Sequence, residues 1–422
     1  MKFFILLIFF PLLHNYLWSQ KTIKTDTPCN DEVLFITPGK WFTDYGGMLD
    51  NGSEYIPFNK AQVTETVKRM NVVRDILMKI IPQPMGVDPA WHHSIGRGSF
   101  GEQVRYVKNS QGIVNREPLV EKPIATYAFI CGFFDLACNP NNPKEIWRGY
   151  PGETDTWFTV GANGIGNVAP QINGSTANML IDGYPVHLRH PLKEKFDGYE
   201  LFNCKKNVYP GISTNEWRML FHRKGELPYI PVTRKQYIDQ AIIYLTQFYD
   251  DAIKDFEQAP MRSIKEQEAE KNQAVEKMKK DLAWNPTAMK TSIDNYLAEY
   301  KTEQDVRNEQ VKKLVMDKEA VLKHYRDELD ETIKQGLLSS PAIIPLIIYA
   351  VESHEPIFVE ENIGYMVVIE NARYMRKDLP KYVPQILTVV MGFDEYWKPQ
   401  ADVSKIILEK FPFEKLQEMI DK

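Results

Sequence analysis

Hydrophobic and polar positions divide the chain into three parts, and the first part carries short strand-like runs. Between residues 20 and 230 these runs are separated by turn-forming Gly, Pro and Asn, as at Asn173-Gly174. One stretch, Asn59–Ile81, has apolar residues three and four apart and predicts a helix that ends before Pro82. We therefore predict an α+β domain with a mostly antiparallel sheet, its strands at residues 103–107, 125–137, 156–160 and 199–203.

The second part, residues 231–340, changes to a helical pattern. Thr233 and Gln236 have the spacing of a capping box, and a heptad seam follows at Ile238, Ile242, Leu245, Tyr249, Ala252 and Phe256. A second seam runs from Ile293 to Ile333 after the break at Asn285-Pro286. We predict one helix over 233–283 and another over 292–334. They would form a long charged, coiled-coil-like hairpin or pair with another chain.

The third part, residues 341–422, returns to a globular pattern. Tyr365–Glu370 and Gln385–Met391 are typical of strands, and Val403–Ile420 is amphipathic with an interruption at Pro412. This segment forms either a separate α/β layer or the completion of the first domain's sheet. We favour completion, because about 80 residues with three strands make a thin core by themselves.

The N-terminus has the pattern of a secretory signal peptide. Lys2 precedes the apolar run Phe3–Leu13, and Ser19 supplies the small residue of a cleavage site. An apolar core of about 11 residues is too short to span a bilayer, and no later run of 18 apolar residues follows. We therefore predict a signal peptide over 1–19, and a mature chain without a transmembrane segment that is periplasmic or secreted.

The balance of acidic and basic residues limits the kinds of molecule that the protein is expected to bind. The 422 residues include 51 Lys and Arg against 56 Asp and Glu, a formal net charge of -5. Such a balance gives no reason to expect a nucleic-acid partner. The signs are also balanced within 261–335, which favours a solvated helical segment that contacts a protein or another copy of itself.

The four cysteines are Cys29, Cys131, Cys138 and Cys204. An even number in an exported chain favours two disulfides. If 125–137 is a strand, seven residues place Cys131 and Cys138 about 23 Å apart, too far for a direct bond. We expect both to pair with Cys29 and Cys204, in an order that the sequence leaves open.

Candidate chemistry is sparse. Two histidine pairs are the only zinc-like grouping, and hydrogen-bonded loop histidines are the simpler interpretation of His92, His93, His187 and His190. The segment Gly161–Gly166 lacks the spacing and the Lys-Ser/Thr of a phosphate loop, and GxSxG is absent. No cofactor is predicted.

Several short motifs resemble a family of exported Bacteroidota proteins whose function is not known. These are the leader ending in Ser19-Gln20, the segment 227–237 (LPYIPVTRKQY), and Asn371-Ala372-Arg373-Tyr374 with the prolines that follow it. The resemblance implies an envelope or secreted setting and brings no catalytic residues.

These observations favour an exported, non-enzymatic binding or structural protein of the cell envelope with a helical interaction arm. Its partner would be a protein, or a second copy held through the 233–336 helices. The alternative is a hydrolase of envelope polymers that uses His and carboxylate residues of the 85–200 region.

Overall fold

The computed structural model of the protein describes residues 22–42, 49–51, 58–101, 104–108, 114–118, 124–148, 156–171, 179–209, 212–345 and 356–422. The predicted signal peptide and the Asn173-Gly174 turn lie outside these residues. Two compact units are formed. The first comprises the chain up to residue 170 with 187–230 and 370–422, and the second comprises 171–186 and 231–369.

The described residues form helices and strands in both halves, so the predicted α+β class is confirmed. The helices are α1 Asp31–Phe35, α2 Lys60–Ile80, α3 Arg234–Gln258, α4 Ile264–Asp281, α5 Pro286–Glu299, α6 Glu303–Lys334, α7 Lys398–Lys410 and α8 Phe413–Met419. The strands are β1 Thr22–Lys24, β2 Leu49–Asn51, β3 Val87–Phe100, β4 Val104–Lys108, β5 Val114–Pro118, β6 Ile124–Asp135, β7 Ala137–Cys138, β8 Glu145–Trp147, β9 Trp157–Ala162, β10 Leu180–Ile181, β11 Tyr184–Arg189, β12 Leu192–Phe196, β13 Tyr199–Tyr209, β14 Ile212–Phe221, β15 Tyr229–Pro231, β16 Ile343–Ile344, β17 Tyr365–Glu370 and β18 Leu387–Asp394.

An eight-stranded sheet with the order β12-β13-β14-β18-β9-β6-β3-β2 forms the body of the first unit. The pairs from β12 to β3 are antiparallel, and β2 joins β3 in parallel. Met391 of β18 lies opposite Trp217 of β14 on one side and Phe158 of β9 on the other. The C-terminal segment therefore supplies a central strand of this sheet.

Helices α2, α7 and α8 cover the apolar face of that sheet. Met70, Val73 and Leu77 of α2 are fully buried, as are Ile407 of α7 and Leu416 of α8. These positions recur every three or four residues on α2, as the sequence pattern predicts for one buried helix face.

One disulfide fastens the N-terminal segment to the first unit. Cys29 and Cys138 are bonded, with Cα atoms 5.6 Å apart. The bond lies beside a small apolar cluster of Leu34, Leu136 and Ile146. β7 and β8 form a three-stranded sheet with β1, which carries the chain toward Cys29.

The expectation of a second disulfide through Cys131 is wrong, because Cys131 is a free, buried thiol and does not bond to Cys204, the partner that the Cys29–Cys138 bond leaves for it. Cys131 lies on β6 and pairs with Phe158, whereas the backbone of Cys204 pairs with Glu216 on β14. β6 and β13 are four strand spacings apart in the sheet, about 19 Å at 4.8 Å each. That separation exceeds what a disulfide can bridge. Burial also raises the pKa of the Cys131 thiol far above its usual range.

In the second unit α3 and α6 lie side by side in opposite directions. The Tyr237 and Tyr325 rings are 6.5 Å apart at one end, and Lys318 Nζ is 2.5 Å from Asp250 Oδ1 in the middle. At the other end Arg307 Nη1 donates to the Glu257 carbonyl at 3.0 Å. Just before α3, at the Tyr237 end of the pair, the Val232 backbone N–H donates to the carbonyl of Val367 in β17, and β17 also pairs with β16.

Both predicted long helices are broken. The 233–283 helix ends at Gln258 before Pro260, and a new capping box of Ser263 and Glu266 begins α4. The 292–334 helix is interrupted after Glu299, and Thr302 begins α6. The sequence prediction was wrong at Thr302 because it extended one helix through a polar stretch. That stretch contains a helix start signal of its own.

We expect Thr302→Ala to lower the free energy of unfolding by about 1 kcal/mol. The Thr302 hydroxyl accepts from the Asp305 backbone N–H at 3.1 Å, and the Asp305 carboxylate accepts from the Thr302 backbone N–H at 3.0 Å. Urea denaturation measures the change, with Thr291→Ala inside α5 as control. Equal stabilities of the two variants would contradict the helix start at Thr302.

None of the helices in the described part of the chain is both long and apolar enough to cross a membrane.

Candidate functional site

The first predicted histidine pair lies on β3, in the sheet rather than in a loop. His93 is 5% exposed, and its ring contacts those of Trp91 and Phe129 with centroids 5.1 and 6.0 Å away. Burial, followed by the charges of Arg74 and His92, lowers the pKa of His93 to about 4. His93 is therefore a neutral, aromatic-packed member of the core at neutral pH.

The second pair lies at the end of β11. His187 Nδ1 is 2.8 Å from the Ala169 carbonyl oxygen, and its Nε2 is 3.8 Å from a Glu370 carboxylate oxygen. His190 follows the strand and is 7% exposed. Burial, with a smaller contribution from Arg218, lowers the pKa of His190 to about 3.

The structure does not bring the two pairs together. His93 lies on β3, whereas Arg218, the cation next to His190, lies on β14. Four strand spacings separate β3 from β14, about 19 Å. Among the described residues no three His, Cys, Asp or Glu side chains lie close enough to hold a metal ion. The positions of the four histidines therefore do not support the zinc hypothesis.

A buried ion pair stands next to His190. The Arg218 guanidinium donates to the Glu216 carboxylate, through Nε at 3.2 Å and through Nη2, and also to the Asn167 carbonyl. The Glu216 side chain is 2% exposed and that of Arg218 15%. The Glu216 carboxylate is therefore almost entirely screened from water, and Arg218 joins β14 to the chain at Asn167.

The Gly161–Gly166 segment belongs to the same network and holds no phosphate-loop geometry. Asn167 Nδ2 donates to Thr388 Oγ1 at 2.9 Å, and a Cβ atom at Gly161 would lie 2.8 Å from that amide nitrogen. Gly161 is therefore needed for close packing against Asn167. Strand β9 ends within this segment, at Ala162.

A cavity of about 530 Å³ opens in the first unit. Its polar lining includes Lys40, Gln83 and Arg148, and its apolar lining includes Trp41, Met78 and Pro82. The Trp41 indole is fixed because its Nε1 donates to the Ile81 carbonyl at 2.8 Å. The cavity therefore combines cationic groups with a rigid aromatic wall, the pattern of a small-molecule site.

A groove of about 310 Å³ lies on one side of the α3–α6 pair in the second unit. Ile253, Val315 and Leu322 supply its apolar surface. Its charged lining has both signs, from Asp250, Lys318, Glu319 and Arg326. Val315 is 39% exposed, so this surface leaves apolar area in water.

Comparison with known proteins finds no family model that matches the chain. It finds no match among curated proteins and none among solved structures.

Sequence reasoning found the helices that carry the groove but missed the cavity. Lys40 and Trp41 lie more than 100 residues before Arg148, and no spacing rule joins them to it. A signal exists at Gly39, where a Cβ atom would lie 1.7 Å from the Val87 carbonyl oxygen. That close approach fixes the backbone next to Lys40. The sequence alone does not show which glycines are required by such a close approach, so Gly39 could be identified only from the fold.

Proposed function

We propose that the protein is an exported, non-enzymatic structural protein that associates with a second copy of itself through its helices. The observation that carries the proposal is a stripe of α6 that forms one wall of the groove from Val315 to Arg326 and continues along the helix to Ile333. Val315, Glu319, Leu322, Arg326 and Ile333 follow one another at intervals of four, three, four and seven residues. Such intervals keep side chains on one face of a helix.

The stripe is self-complementary. It reads apolar, acidic, apolar, basic, apolar, and its centre lies close to Leu322. In a two-fold contact, if one residue of the first copy meets a second residue of the partner, the second residue of the first copy meets the first of the partner. Two α6 helices packed in opposite directions about that centre place Glu319 against Arg326 of the other copy, and Val315 near Ile333.

Exposed apolar area supports the same interface. Val315 and Ile333 are 39% and 52% exposed. A pair of helices buries only one side of each helix, and two such pairs bury the remaining apolar stripes as a four-helix bundle. The α6 helix has 32 residues, which gives a contact length of up to about 48 Å. Lys318 is already paired with Asp250, which leaves Glu319 and Arg326 to pair between copies.

The exported setting rests on two features of this chain. The apolar leader with its small residue at Ser19 predicts cleavage and export. The Cys29–Cys138 bond is of the kind that persists in oxidising compartments. A helical interaction arm made of α3 to α6 is consistent with a role in envelope assembly.

We expect Val315→Asp to weaken self-association at least tenfold, because it places a charge in the apolar part of the contact near Ile333 of the other copy. Sedimentation velocity over a range of protein concentrations measures the dissociation constant. Met316→Asp is the matched control, since Met316 is 60% exposed and lies one residue off the stripe. Equal effects of the two substitutions, or a monomer at every concentration of the unmodified protein, would refute the interface.

A charge exchange tests the predicted pairing more sharply. Glu319→Arg alone and Arg326→Glu alone each place like charges opposite one another, and both are expected to weaken the dimer. The double variant restores opposite charges across the two-fold axis and is expected to recover association. Failure of the double variant to recover while circular dichroism remains unchanged would rule out the Glu319–Arg326 contact.

A further inference from the structure

We propose that the cavity of the first unit binds a small organic carboxylate with a flat apolar body. The inference is independent of the helical interface, because the cavity and every residue used below belong to the first unit. Its volume of about 530 Å³ lies within the range of small-molecule sites.

The carboxylate preference begins with Arg148, which is held in place at the cavity wall. Its Nη2 donates to the Pro38 carbonyl, and its Nη1 lies 3.9 Å from Asp88 Oδ1. Asp88 is fully buried and its Oδ1 also accepts from the Lys40 backbone N–H at 2.6 Å. A guanidinium has five N–H donors, so these contacts orient Arg148 and leave donors for a ligand oxygen.

Lys40 gives the described lining of the cavity a net positive charge. The Asp88 charge offsets that of Arg148, but the Lys40 ammonium forms no ion pair with the residues that the structure describes. Its backbone is fixed by the Asp88 contact and by the Gly39 hydrogen bond to the Pro84 carbonyl at 2.6 Å. One net cation with oriented guanidinium donors matches a monoanionic carboxylate.

The apolar body of the ligand is inferred from the apolar lining residues. The Trp41 indole, held by its bond to Ile81 and by an edge contact with Phe133 at 6.5 Å, is a rigid planar wall. Pro82 and Met78 add apolar surface around it. A flat apolar group gains the most binding free energy from such a wall, because it can stack on the indole face. The Trp41 side chain is already fixed and loses no further conformational freedom.

Two aromatic probes that differ only in charge test this inference. Isothermal titration of the disulfide-bonded protein with 2-naphthoate is expected to give saturable binding with a dissociation constant on the order of 1 mM or tighter. We expect 2-naphthylmethanol, which has the same rings and no charge, to bind at least tenfold more weakly. Absence of naphthoate binding, or equal affinities for both probes, would overturn the proposal.

The variant Lys40→Gln locates the site. Lys40 is exposed, so the substitution leaves the fold intact, and it is expected to weaken naphthoate binding about tenfold through loss of one charge-assisted contact. Lys68→Gln is the control: it makes the same change on α2, ten residues from Met78. Unchanged affinity in Lys40→Gln, or an equal loss in both variants, places the probe elsewhere and refutes the site.

Discussion

Replacing Arg218 with Met is expected to lower the free energy of unfolding by about 3–5 kcal/mol, because it leaves a buried carboxylate without its cation. Glu216 is 2% exposed and its described polar contacts are with Arg218. The substitution also removes the donor to the Asn167 carbonyl next to β9. Guanidinium chloride denaturation at pH 7, read by tryptophan fluorescence, measures the loss.

Arg105→Met is the matched control for Arg218. Arg105 also pairs with a glutamate, Glu117, at 2.8 Å, but the two side chains are 63% and 43% exposed. An exposed ion pair contributes about 1 kcal/mol or less, so the control isolates the effect of burial. A loss for Arg218→Met no larger than that of Arg105→Met would mean that water reaches Glu216.

A double variant separates the pair from its surroundings. Combining Glu216→Gln with Arg218→Met removes the buried charge together with its partner, and we expect it to be more stable than Arg218→Met alone. If the double variant loses the sum of both single effects, Glu216 and Arg218 do not act as a pair.

The heptad pattern correctly predicted that the second part of the chain is helical, but it wrongly predicted two long unbroken helices. Apolar intervals located α3 and α6, since Leu245, Tyr249, Val321 and Tyr325 are buried at the expected spacing. At Pro260 and Thr302 the local capping residues favour a helix end or start, whereas the heptad pattern favours one continuous helix. The apolar stripe there has too few residues to show which of the two prevails. Local signals thus set the helix ends where packing is weak.

Long-range pairing in the sheet was less accessible from the sequence. The strand pattern at 385–391 predicted β18, but its place between β14 and β9 depends on partners more than 160 residues away. The same holds for the disulfide, because strand order decides that Cys138 reaches Cys29 while Cys131 remains in the core. Periodicity assigns an element and its buried face, but it carries no information on neighbours.

The buried histidines give the second large effect, a loss of stability in mild acid. His93 and His190 have pKa values lowered to about 4 and about 3 in the folded protein, chiefly by burial. In the unfolded chain both return to about 6.5. Between these limits the unfolded chain binds more protons than the folded chain, so stability falls as the pH decreases.

Each histidine contributes at most about 1.4 kcal/mol per pH unit, and the two together about 2.4 kcal/mol per unit between pH 5.5 and 4.5; the slope is smaller near pH 4, where His93 is half protonated in the folded protein as well. Urea denaturation at half-unit steps of pH measures it. His190→Gln removes one of the two titrating groups, so its slope over this range is expected to be smaller by about 1.4 kcal/mol per unit. Carboxylates that titrate below pH 5 contribute to both proteins and cancel in the comparison.

The Arg218 variant links the two predictions. Arg218 lowers the pKa of His190 in addition to burial, so Arg218→Met brings that pKa closer to its unfolded value and flattens the pH dependence. The test compares Glu216→Gln/Arg218→Met with Glu216→Gln alone, because neither has a buried carboxylate at 216 that could take up a proton and flatten the curve. A shallower decline in acid for the double variant would show that Arg218 and His190 are coupled, and equal slopes would show that they act separately.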